Sequence, residues 1–515
     1  MQTQRKMLFN GLSLLTIGSI LLSACSSASP AASTSTPSTP GTPAPAASTK
    51  PLEPLTIKGL ANLYSQAPAK DSEFWKKMES EFNVSYSVDW VPADNYQQKL
   101  DLVLASGDIP ELMQITNTTA PSVLKAAKAG AFWDLTPYLG DFSKYPNFKK
   151  YTNQNAWVLS KINGKNYFVP RTRGNLDSAV FIRQDWLDKL NLKLPTTTEE
   201  FANVMKVIAK SDPDGNGKND TIGTLTTPGY FAAAFGTREP VRDSNGGIIH
   251  ANLTSNYADY VSYMRELYQA GAIPKEFALI NGTQQEEMFM TGRSATFVKN
   301  AWHKFRMEQE NRKTQPDAKV TIIPYLKGPK GYAHIYDLGY FGGMAISKKV
   351  DEKKMLRILD FLNATVDEKY YNFVNFGMEG VHYTLKDGFP SLTDQGKKEV
   401  NASFNAPFIF STAEFAKVDS PLAPMDYNLK VREEMKALYK IDAKIELFNV
   451  IQSDAWSTAW SKVKDEFVSM EAKAISGAIS MDEFKAYQKK LADNPDFMKA
   501  WPEFTKSYEE FFGKK

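Results

Sequence analysis

Hydrophobic residues follow two different periods along residues 55–115. Segments with apolar residues at every second position, or in short continuous runs, are typical of β-strands, whereas apolar residues three and four apart are typical of helices. The predicted strands are residues 55–63, 84–90 and 109–115. The predicted helices between them are residues 72–82 and 95–106. Strands that alternate with helices predict an α/β fold with a parallel sheet.

The helical period returns later in the chain, where capping boxes mark two helix starts. Thr197 and Glu200 precede one apolar stripe, and Ser480 and Glu483 precede another near the C-terminal end. From about Met355 onward the pattern is mainly helical. Two strand-like pieces interrupt it, at residues 406–410 and 445–451.

The first 50 residues differ in pattern from the rest. Arg5 and Lys6 precede an uncharged, mostly apolar run over residues 7–22, which is shorter than the roughly 20 residues that cross a bilayer. We interpret residues 1–24 as a secretory signal peptide. Residues 26–49 contain only Ser, Ala, Thr, Pro and Gly, so they cannot bury a core. Residues 25–50 are therefore predicted to form a flexible linker.

Cys25 is the single cysteine among 515 residues, and it stands directly after the apolar run. The ending Leu-Ser-Ala-Cys resembles the lipobox of bacterial lipoproteins. In such proteins the thiol carries diacylglycerol and the cysteine becomes the first residue. The resemblance implies a lipid anchor on the extracellular face of the cell membrane. The alternative is an ordinary signal peptide with a chance cysteine near its cleavage site.

Charge and composition exclude several classes of function. The net charge is +3, from 61 basic and 58 acidic residues, and no Lys/Arg cluster indicates a nucleic-acid partner. No internal repeat is evident, which disfavours a repetitive surface adhesin. Aromatic residues make up 12% of the chain, which suits a site that stacks on flat apolar faces.

Residues 161–223 contain motifs that together resemble one protein family. In order, they read N-G-K-x-Y-x-x-P, R-x-D-W-L-x-K-L, P-T-T-x-E-F and D-P-D-G-N-G-K-N-D. Further matches are A-S-G-D-I-P-E, L-Y-Q-A-G-A-I, G-G-M-A-I-S-K-K and I-S-M-D-E-F. The set resembles the family 1 extracellular solute-binding proteins of bacterial ABC importers. Within that family it is most similar to the large lipoproteins related to LplA and the alginate-binding proteins.

The resemblance implies an α/β fold of the two-lobed, periplasmic-binding-protein-like type II class, with an interlobe ligand cleft and a helical C-terminal part. It places one lobe at residues 51–170 plus 340–400. The other lobe is expected at residues 171–339 plus 405–515.

The resemblance also implies a function. The expected protein is a monomeric, membrane-anchored lipoprotein that captures a carbohydrate, in particular an oligosaccharide, and delivers it to the permease of an ABC importer. Such a protein is not an enzyme. The alternative is a lipid-anchored, secreted glycoside-degrading enzyme, because 58 carboxylates leave an acid–base pair open. Serine-hydrolase, P-loop, zinc-protease and dinucleotide-binding motifs are absent from the sequence.

Six residues are candidates for ligand binding. Tyr64 and Asn117 each follow a predicted strand, at the end where α/β sheets bind ligands. The resemblance places Arg171 and Arg173 at the first crossover between lobes, Tyr340 beside the second, and Trp302 on the cleft wall. Trp302 is equally consistent with a core position, and the arginines with a hinge brace. Ordinary loop positions remain open for the others.

A calcium site is predicted in the segment D-P-D-G-N-G-K-N-D. Asp212, Asp214, Asn216, Lys218 and Asp220 occupy the alternating positions that supply oxygen ligands in an EF-hand loop. The bidentate Glu of a standard EF-hand is missing, because that position is a glycine. Similar proteins complete the loop with an acidic residue where this chain has Thr221. The alternative is a polar turn without an ion.

Overall fold

The computed structural model describes residues 53–64, 66–67, 69–175, 178–218, 220–225, 228–336, 338–386, 388–400, 408 and 418–513. All of them belong to the compact unit Leu52–Lys515. The predicted signal peptide, Cys25 and the linker lie outside the described residues, so those predictions are untested by the structure. Every helix in the described part of the chain is too short or too polar to cross a bilayer.

The larger sheet has five strands. In hydrogen-bonding order they are Val84–Pro92, Leu55–Leu63, Leu112–Ile115, Tyr340–Ile346 and Phe168–Thr172. The first three pair in parallel, as predicted, but Tyr340–Ile346 pairs antiparallel with both of its neighbours. The sheet is therefore mixed rather than parallel. The third strand also begins later than predicted, because Pro110 has no N–H to donate to a ladder.

A second sheet has three antiparallel strands, in the order Thr296–Asn300, Ser178–Arg183 and Val320–Ile323. Four two-stranded ladders are also present among the described residues. They pair Val241–Arg242 with Ile248–Ile249, Lys327–Gly328 with Gly331–Tyr332, Ile335–Tyr336 with Lys444–Ile445, and Tyr383–Lys386 with Phe389–Leu392.

Helices cover both faces of the sheets and dominate the C-terminal third. The α-helices are Glu73–Phe82, Ala93–Ser106, Pro121–Lys128, Thr136–Leu139, Pro146–Tyr151, Gln154–Leu159, Gln184–Lys189, Thr198–Ile208, Pro228–Ala232, Ser255–Gln269, Gly282–Met290, Lys304–Arg312, Glu352–Thr365, Tyr371–Phe376, Asp394–Glu399, Met425–Lys436, Asp454–Ser476, Met481–Ala492, Pro495–Met498 and Ala500–Phe512. The 3-10 helices are Ala233–Phe235, Ala251–Leu253, Phe277–Leu279, Ala301–His303, Glu368–Tyr370, Leu438–Lys440 and Leu447–Asn449.

Local sequence signals explain several of these boundaries. The predicted capping boxes at Thr197 and Ser480 are confirmed, with both reciprocal hydrogen bonds present in each. The strand predicted over residues 445–451 is wrong: only Lys444–Ile445 pairs, and a 3-10 helix follows. The piece predicted over residues 406–410 lies outside the described residues except for Phe408.

Each sheet is sandwiched between two hydrophobic clusters. Ile57 and Leu112 face one cluster of the large sheet, and Leu60 and Met113 face the other. The two faces of the small sheet also pack on different clusters. One face contacts the C-terminal helices, and the other contacts the helices Gly282–Met290 and Met425–Lys436. Trp75 and Trp186 lie in these clusters, with 3% and 1% exposure.

The chain passes between the sheets at two places that matter for a ligand. It leaves the large sheet at Thr172 and enters the small sheet at Ser178, and it returns between Tyr336 and Tyr340. Groups at these crossovers therefore lie between two sheets that pack on separate hydrophobic clusters, and ligand sites are commonly found at such boundaries.

Candidate functional site

One edge of the large sheet collects five of the six predicted ligand residues. The parallel strands Leu55–Leu63 and Leu112–Ile115 both end there, one residue before Tyr64 and two residues before Asn117. Tyr340–Ile346 runs the other way and so begins at that edge, where Tyr340 pairs with Thr172, the neighbour of Arg171 and Arg173. The topology thus brings together residues that are more than 200 positions apart in the sequence.

Arg171 is buried to 2% exposure and donates through Nε to the main-chain carbonyl of Phe408 over 3.0 Å. Burial lowers the pKa of the guanidinium to about 10, so it stays charged at neutral pH. Tyr64 keeps 37% of its surface exposed. Burial raises the pKa of its hydroxyl, and the positive charges of Arg171 and Arg173 partly offset that shift. The positive charges of Arg171 and Arg173 therefore lie together at this edge, beside the hydroxyl of Tyr64.

Tyr340 has a supporting position rather than an open one. Its hydroxyl lies 3.3 Å from Thr118 Oγ1 and donates to the carbonyl of Leu159 over 3.3 Å. Burial raises its pKa to about 12. Asn117 is exposed, and its Oδ1 accepts from the main-chain N–H of Thr119 over 3.0 Å. Tyr340 and this turn hold the loop that follows the third strand in place.

Phe341 and Gly342 are residues at this edge that sequence reasoning missed. Gly342 has a φ of +65°, and a Cβ atom there would lie 1.9 Å from the carbonyl oxygen of Ile115. The strand register shifts between Tyr340 and Gly343, which marks a β-bulge. Phe341, half-buried at the bulge, has its ring centroid 6.5 Å from that of Tyr64. The sequence signal was the run Gly-Tyr-Phe-Gly-Gly, since paired glycines in a strand often mark a bulge.

Asn62 and Gln114 are two further residues that sequence reasoning missed. They are 5% and 0% exposed, and the N–H of Asn62 donates to Gln114 Oε1 over 2.9 Å. Asn62 Oδ1 and Gln114 Nε2 have no hydrogen-bond partner of normal geometry among the described residues. The available signal was an amide at the next-to-last position of each of these two strands.

Trp302 lies on the other sheet, in the 3-10 helix that follows the strand Thr296–Asn300. It is half-buried, and its ring meets that of His303 at 5.2 Å in an edge-on arrangement. The Nδ2 of Asn300 lies 3.5 Å from the Oγ of Ser178, the first strand residue after the crossover. Trp302 is therefore close in the fold to the crossover, and it is not enclosed in a core.

The predicted calcium loop is a compact turn rich in oxygen atoms. The carboxylate of Asp212 accepts from the N–H groups of Asn216 over 3.0 Å and Gly217 over 2.9 Å. Asn216 Nδ2 donates to Asp214 over 2.7 Å and to Asp220 over 3.1 Å, which draws the acidic side chains around one amide. Asp214 Oδ1 is buried without a hydrogen-bond partner among the described residues.

Electrostatics in this loop are unfavourable for the charged form of Asp214. Burial raises the pKa of Asp214, and the neighbouring carboxylates of Asp212 and Asp220 add to the rise. Within the described residues, no three side chains of the His, Cys, Asp and Glu types are grouped so that they alone would hold a metal. A cation here would therefore also need the amide oxygen of Asn216 and the carbonyl of Lys218.

Comparison with known proteins gives a consistent result. The family model described as bacterial extracellular solute-binding protein matches residues 61–369. The polygalacturonan/rhamnogalacturonan-binding protein YtcQ of Bacillus subtilis strain 168 is 31% identical over 334 residues, which are 63% of this chain and 66% of that protein. Lipoprotein LipO of the same organism is 31% identical over 359 residues, which are 66% of this chain and 70% of that protein.

The fold is similar to that of a solved structure, the alginate-binding protein AlgQ2 without calcium ion. That structure covers 88% of this chain and 98% of its own, with a TM-score of 0.69 and 19% identity. The predicted α/β fold of the two-lobed type II class is therefore confirmed.

Proposed function

Because the chain belongs to the family of bacterial extracellular solute-binding proteins, we propose that it captures an oligosaccharide and delivers it to the permease subunits of an ABC importer. The observation that carries this proposal is the meeting of Tyr64, Asn117, Arg171 and Arg173 at one sheet edge beside both crossovers. Polar groups that converge at the boundary between two packed bodies are typical of small-molecule sites. Closure of two lobes around such a site would exclude water and retain the ligand.

Acidic sugars are the first candidates for the ligand. The names of YtcQ and AlgQ2 point to polygalacturonan, rhamnogalacturonan and alginate, which contain uronate residues. Arginine pairs well with carboxylates because its guanidinium offers two parallel N–H donors. Arg171 and Arg173 at the edge favour the same ligand class. Trp302 on the opposite sheet would add an apolar face for a sugar ring.

Membrane attachment through Cys25 is the second part of the proposal. The similarity to lipoprotein LipO supports it. A diacylated cysteine on the extracellular face of the cell membrane would keep the monomeric binder close to its permease, which raises its effective concentration there.

A structural calcium ion in the loop formed by residues 212–220 is the third part. The buried, unpartnered Oδ1 of Asp214 and the crowding of acidic side chains around Asn216 support it, since a dication would relieve both. Asp212, Asp214, Asn216, Lys218 and Asp220 would hold the ion through oxygen atoms. The ion would stabilise the loop, which is distant in sequence from the residues at the sheet edge.

The proposal further holds that the protein does not cleave its ligand. The experiment that tests it is a thermal-shift screen of the purified mature domain with trigalacturonate, a fructo-oligosaccharide and maltotriose, followed by calorimetry and mass spectrometry of the recovered sugar. We expect a higher melting temperature with one of these sugars, because a ligand at about 100 times its Kd stabilises by roughly 2.7 kcal/mol. The sugar should be recovered intact.

Two results would count against the proposal in different ways. If no sugar raised the melting temperature, the binding function would be wrong. If shorter sugars were released over hours and one carboxylate substitution abolished the release, the glycoside-degrading enzyme would replace the binder.

A further inference from the structure

We propose that Phe341, Asn62 and Gln114 hold one sugar ring of the ligand, with Phe341 as the apolar platform and the two amides as partners of that ring's hydroxyl groups. The inference rests on the proposed function and names the residues that would recognise the ring.

The bulge explains why Phe341 is placed for contact with a ligand. Regular alternation along Tyr340–Ile346 would fix each side chain on one face of the sheet, but the extra residue before Gly343 interrupts that alternation. A β-bulge commonly redirects a side chain next to a functional site. Only glycine fits at position 342, because any Cβ would collide with the Ile115 carbonyl. The glycine therefore permits this irregular backbone, whereas a regular strand would not require a glycine at this position.

The surroundings of Phe341 suit the C–H face of a sugar. Its ring is half-buried and lies 6.5 Å from the Tyr64 ring at an angle of 52°. The guanidinium carbon of Arg173 lies over the Phe341 ring, 5.2 Å from its centroid, so a sugar would stack on the opposite face of that ring. An aromatic face beside a cation and a phenol offers both the apolar contact and the polar groups that a sugar ring requires.

Asn62 and Gln114 give independent support. A buried polar atom without a partner is costly, so each such atom in a folded protein calls for an explanation. Asn62 Oδ1 can accept a hydrogen bond and Gln114 Nε2 can donate one, and a sugar hydroxyl does both. These two amides belong to neighbouring strands and are already linked by the hydrogen bond from the Asn62 N–H.

The Tyr64 hydroxyl lies beside the two amides. Both amides lie close enough to the Tyr64 hydroxyl to lower its pKa, and both are covered, whereas Tyr64 itself is 37% exposed. Tyr64 stands one residue beyond the strand end, where outward rotation of its side chain disturbs no ladder hydrogen bond. The ligand would reach the amides when Tyr64 turns outward.

Two substitutions separate a binding role from a merely structural one. Phe341→Leu keeps an apolar side chain but removes the flat ring, and Phe341→Trp keeps a flat ring. Asn62→Leu removes the unpartnered oxygen but leaves the main-chain bond to Gln114, so it should not lower thermal stability. Phe277→Ala is a matched control, since Phe277 is also half-buried but packs against Tyr268 among the helices.

The experiment is titration calorimetry with trigalacturonate, or with whichever panel sugar the wild type binds, together with melting temperatures. We expect Phe341→Leu and Asn62→Leu each to weaken binding about ten-fold, by analogy with base–aromatic stacking for the ring. Phe341→Trp and Phe277→Ala should bind within about two-fold of the wild type, and Asn62→Leu should melt no lower.

The outcomes distinguish this inference from the proposed function. Wild-type binding that Phe341→Leu and Asn62→Leu leave unchanged would overturn the inference alone. Losses of affinity that merely follow losses of melting temperature would also overturn it. Failure of the wild type to bind any panel sugar would overturn the proposed function and the inference together.

Discussion

Lys128 and Asp454 form an ion pair between two helices that pack with different sheets. Lys128 ends the helix that packs on the large sheet, and Asp454 begins the long helix that packs with the small sheet. Beside this pair, Gln452 Nε2 donates to the carbonyl of Lys161 over 3.4 Å. These groups line a polar cavity of about 220 Å³.

We expect the Lys128–Asp454 pair to contribute only weakly to stability. The two side chains are 31% and 67% exposed, so water and salt screen their attraction. Lys128→Ala should lower the free energy of unfolding by about 0.2–1 kcal/mol at low salt. The effect should vanish near 1 M salt, where the Debye length is about 3 Å. A double-mutant cycle with Asp454→Ala measures it, and a coupling that salt leaves unchanged would contradict the prediction.

A pH dependence is expected from Glu471. Burial raises its pKa to about 7, although the Tyr257 hydroxyl donates to it over 2.9 Å. An unfolded Glu titrates near 4.3, so between about pH 4.3 and 7 the folded state binds more protons than the unfolded state. The contribution of Glu471 to the free energy of unfolding should therefore fall as pH rises through this window.

Glu471→Gln tests this dependence by comparison with the wild type in denaturant titrations from pH 5 to 8. The comparison isolates Glu471 from His250, whose pKa burial lowers to about 3 and whose contribution has the opposite sign. Tyr257 and Tyr260 face Glu471 but stay neutral, because burial raises their pKa values far above this window. Identical slopes for the wild type and the variant would show that Glu471 does not titrate as expected.

Chelation should destabilise the protein if the loop binds calcium. Without a bidentate Glu, the expected Kd is roughly 0.1–1 mM, the range of extracellular modules. A chelator should lower the melting temperature of the wild type, and Asp214→Ala should abolish that sensitivity. Asp243→Ala is the control, because Asp243 Oδ1 also accepts from main-chain N–H groups in a glycine-containing turn. An equal response of both variants to chelator would argue against the site.

Removal of the Cys25 thiol should release the protein from the membrane. Cys25→Ala eliminates the atom that lipid would modify, so the protein should appear in the secreted soluble fraction or keep an uncut signal peptide. Cell fractionation followed by mass spectrometry of the N-terminal peptide measures this. Mature wild-type protein that partitions as soluble would show that the anchor does not exist.

The sequence predicted elements better than it predicted their arrangement. Strands and helices over residues 55–115 follow from periodicity, because burial of one face imposes that pattern locally. The positions of Tyr64 and Asn117 after strand ends were predicted correctly, and their role as ligand residues stays a prediction based on where α/β sheets bind ligands. The antiparallel strand Tyr340–Ile346 was not predicted, because its partner strands lie far away in the sequence. Phe341 and Gln114 were missed for the same reason. A bulge and an unpartnered amide can be recognised only when the pairing of the strands is known.

Trp302 should contribute directly to ligand affinity. It is half-buried after the strand Thr296–Asn300, where its indole would offer a flat face toward the crossover. By analogy with base–aromatic stacking, loss of the ring should cost about 1–3 kcal/mol, so Trp302→Ala should weaken binding roughly five- to 150-fold. Titration calorimetry with the best sugar from the screen measures the change. The control Trp460→Ala removes another half-buried indole, one that stacks on Trp456 at 4.8 Å among the C-terminal helices, and should leave affinity unchanged. If Trp302→Ala bound the sugar as tightly as the wild type, Trp302 would not belong to the site. The proposed binding function would then depend on the residues at the sheet edge alone.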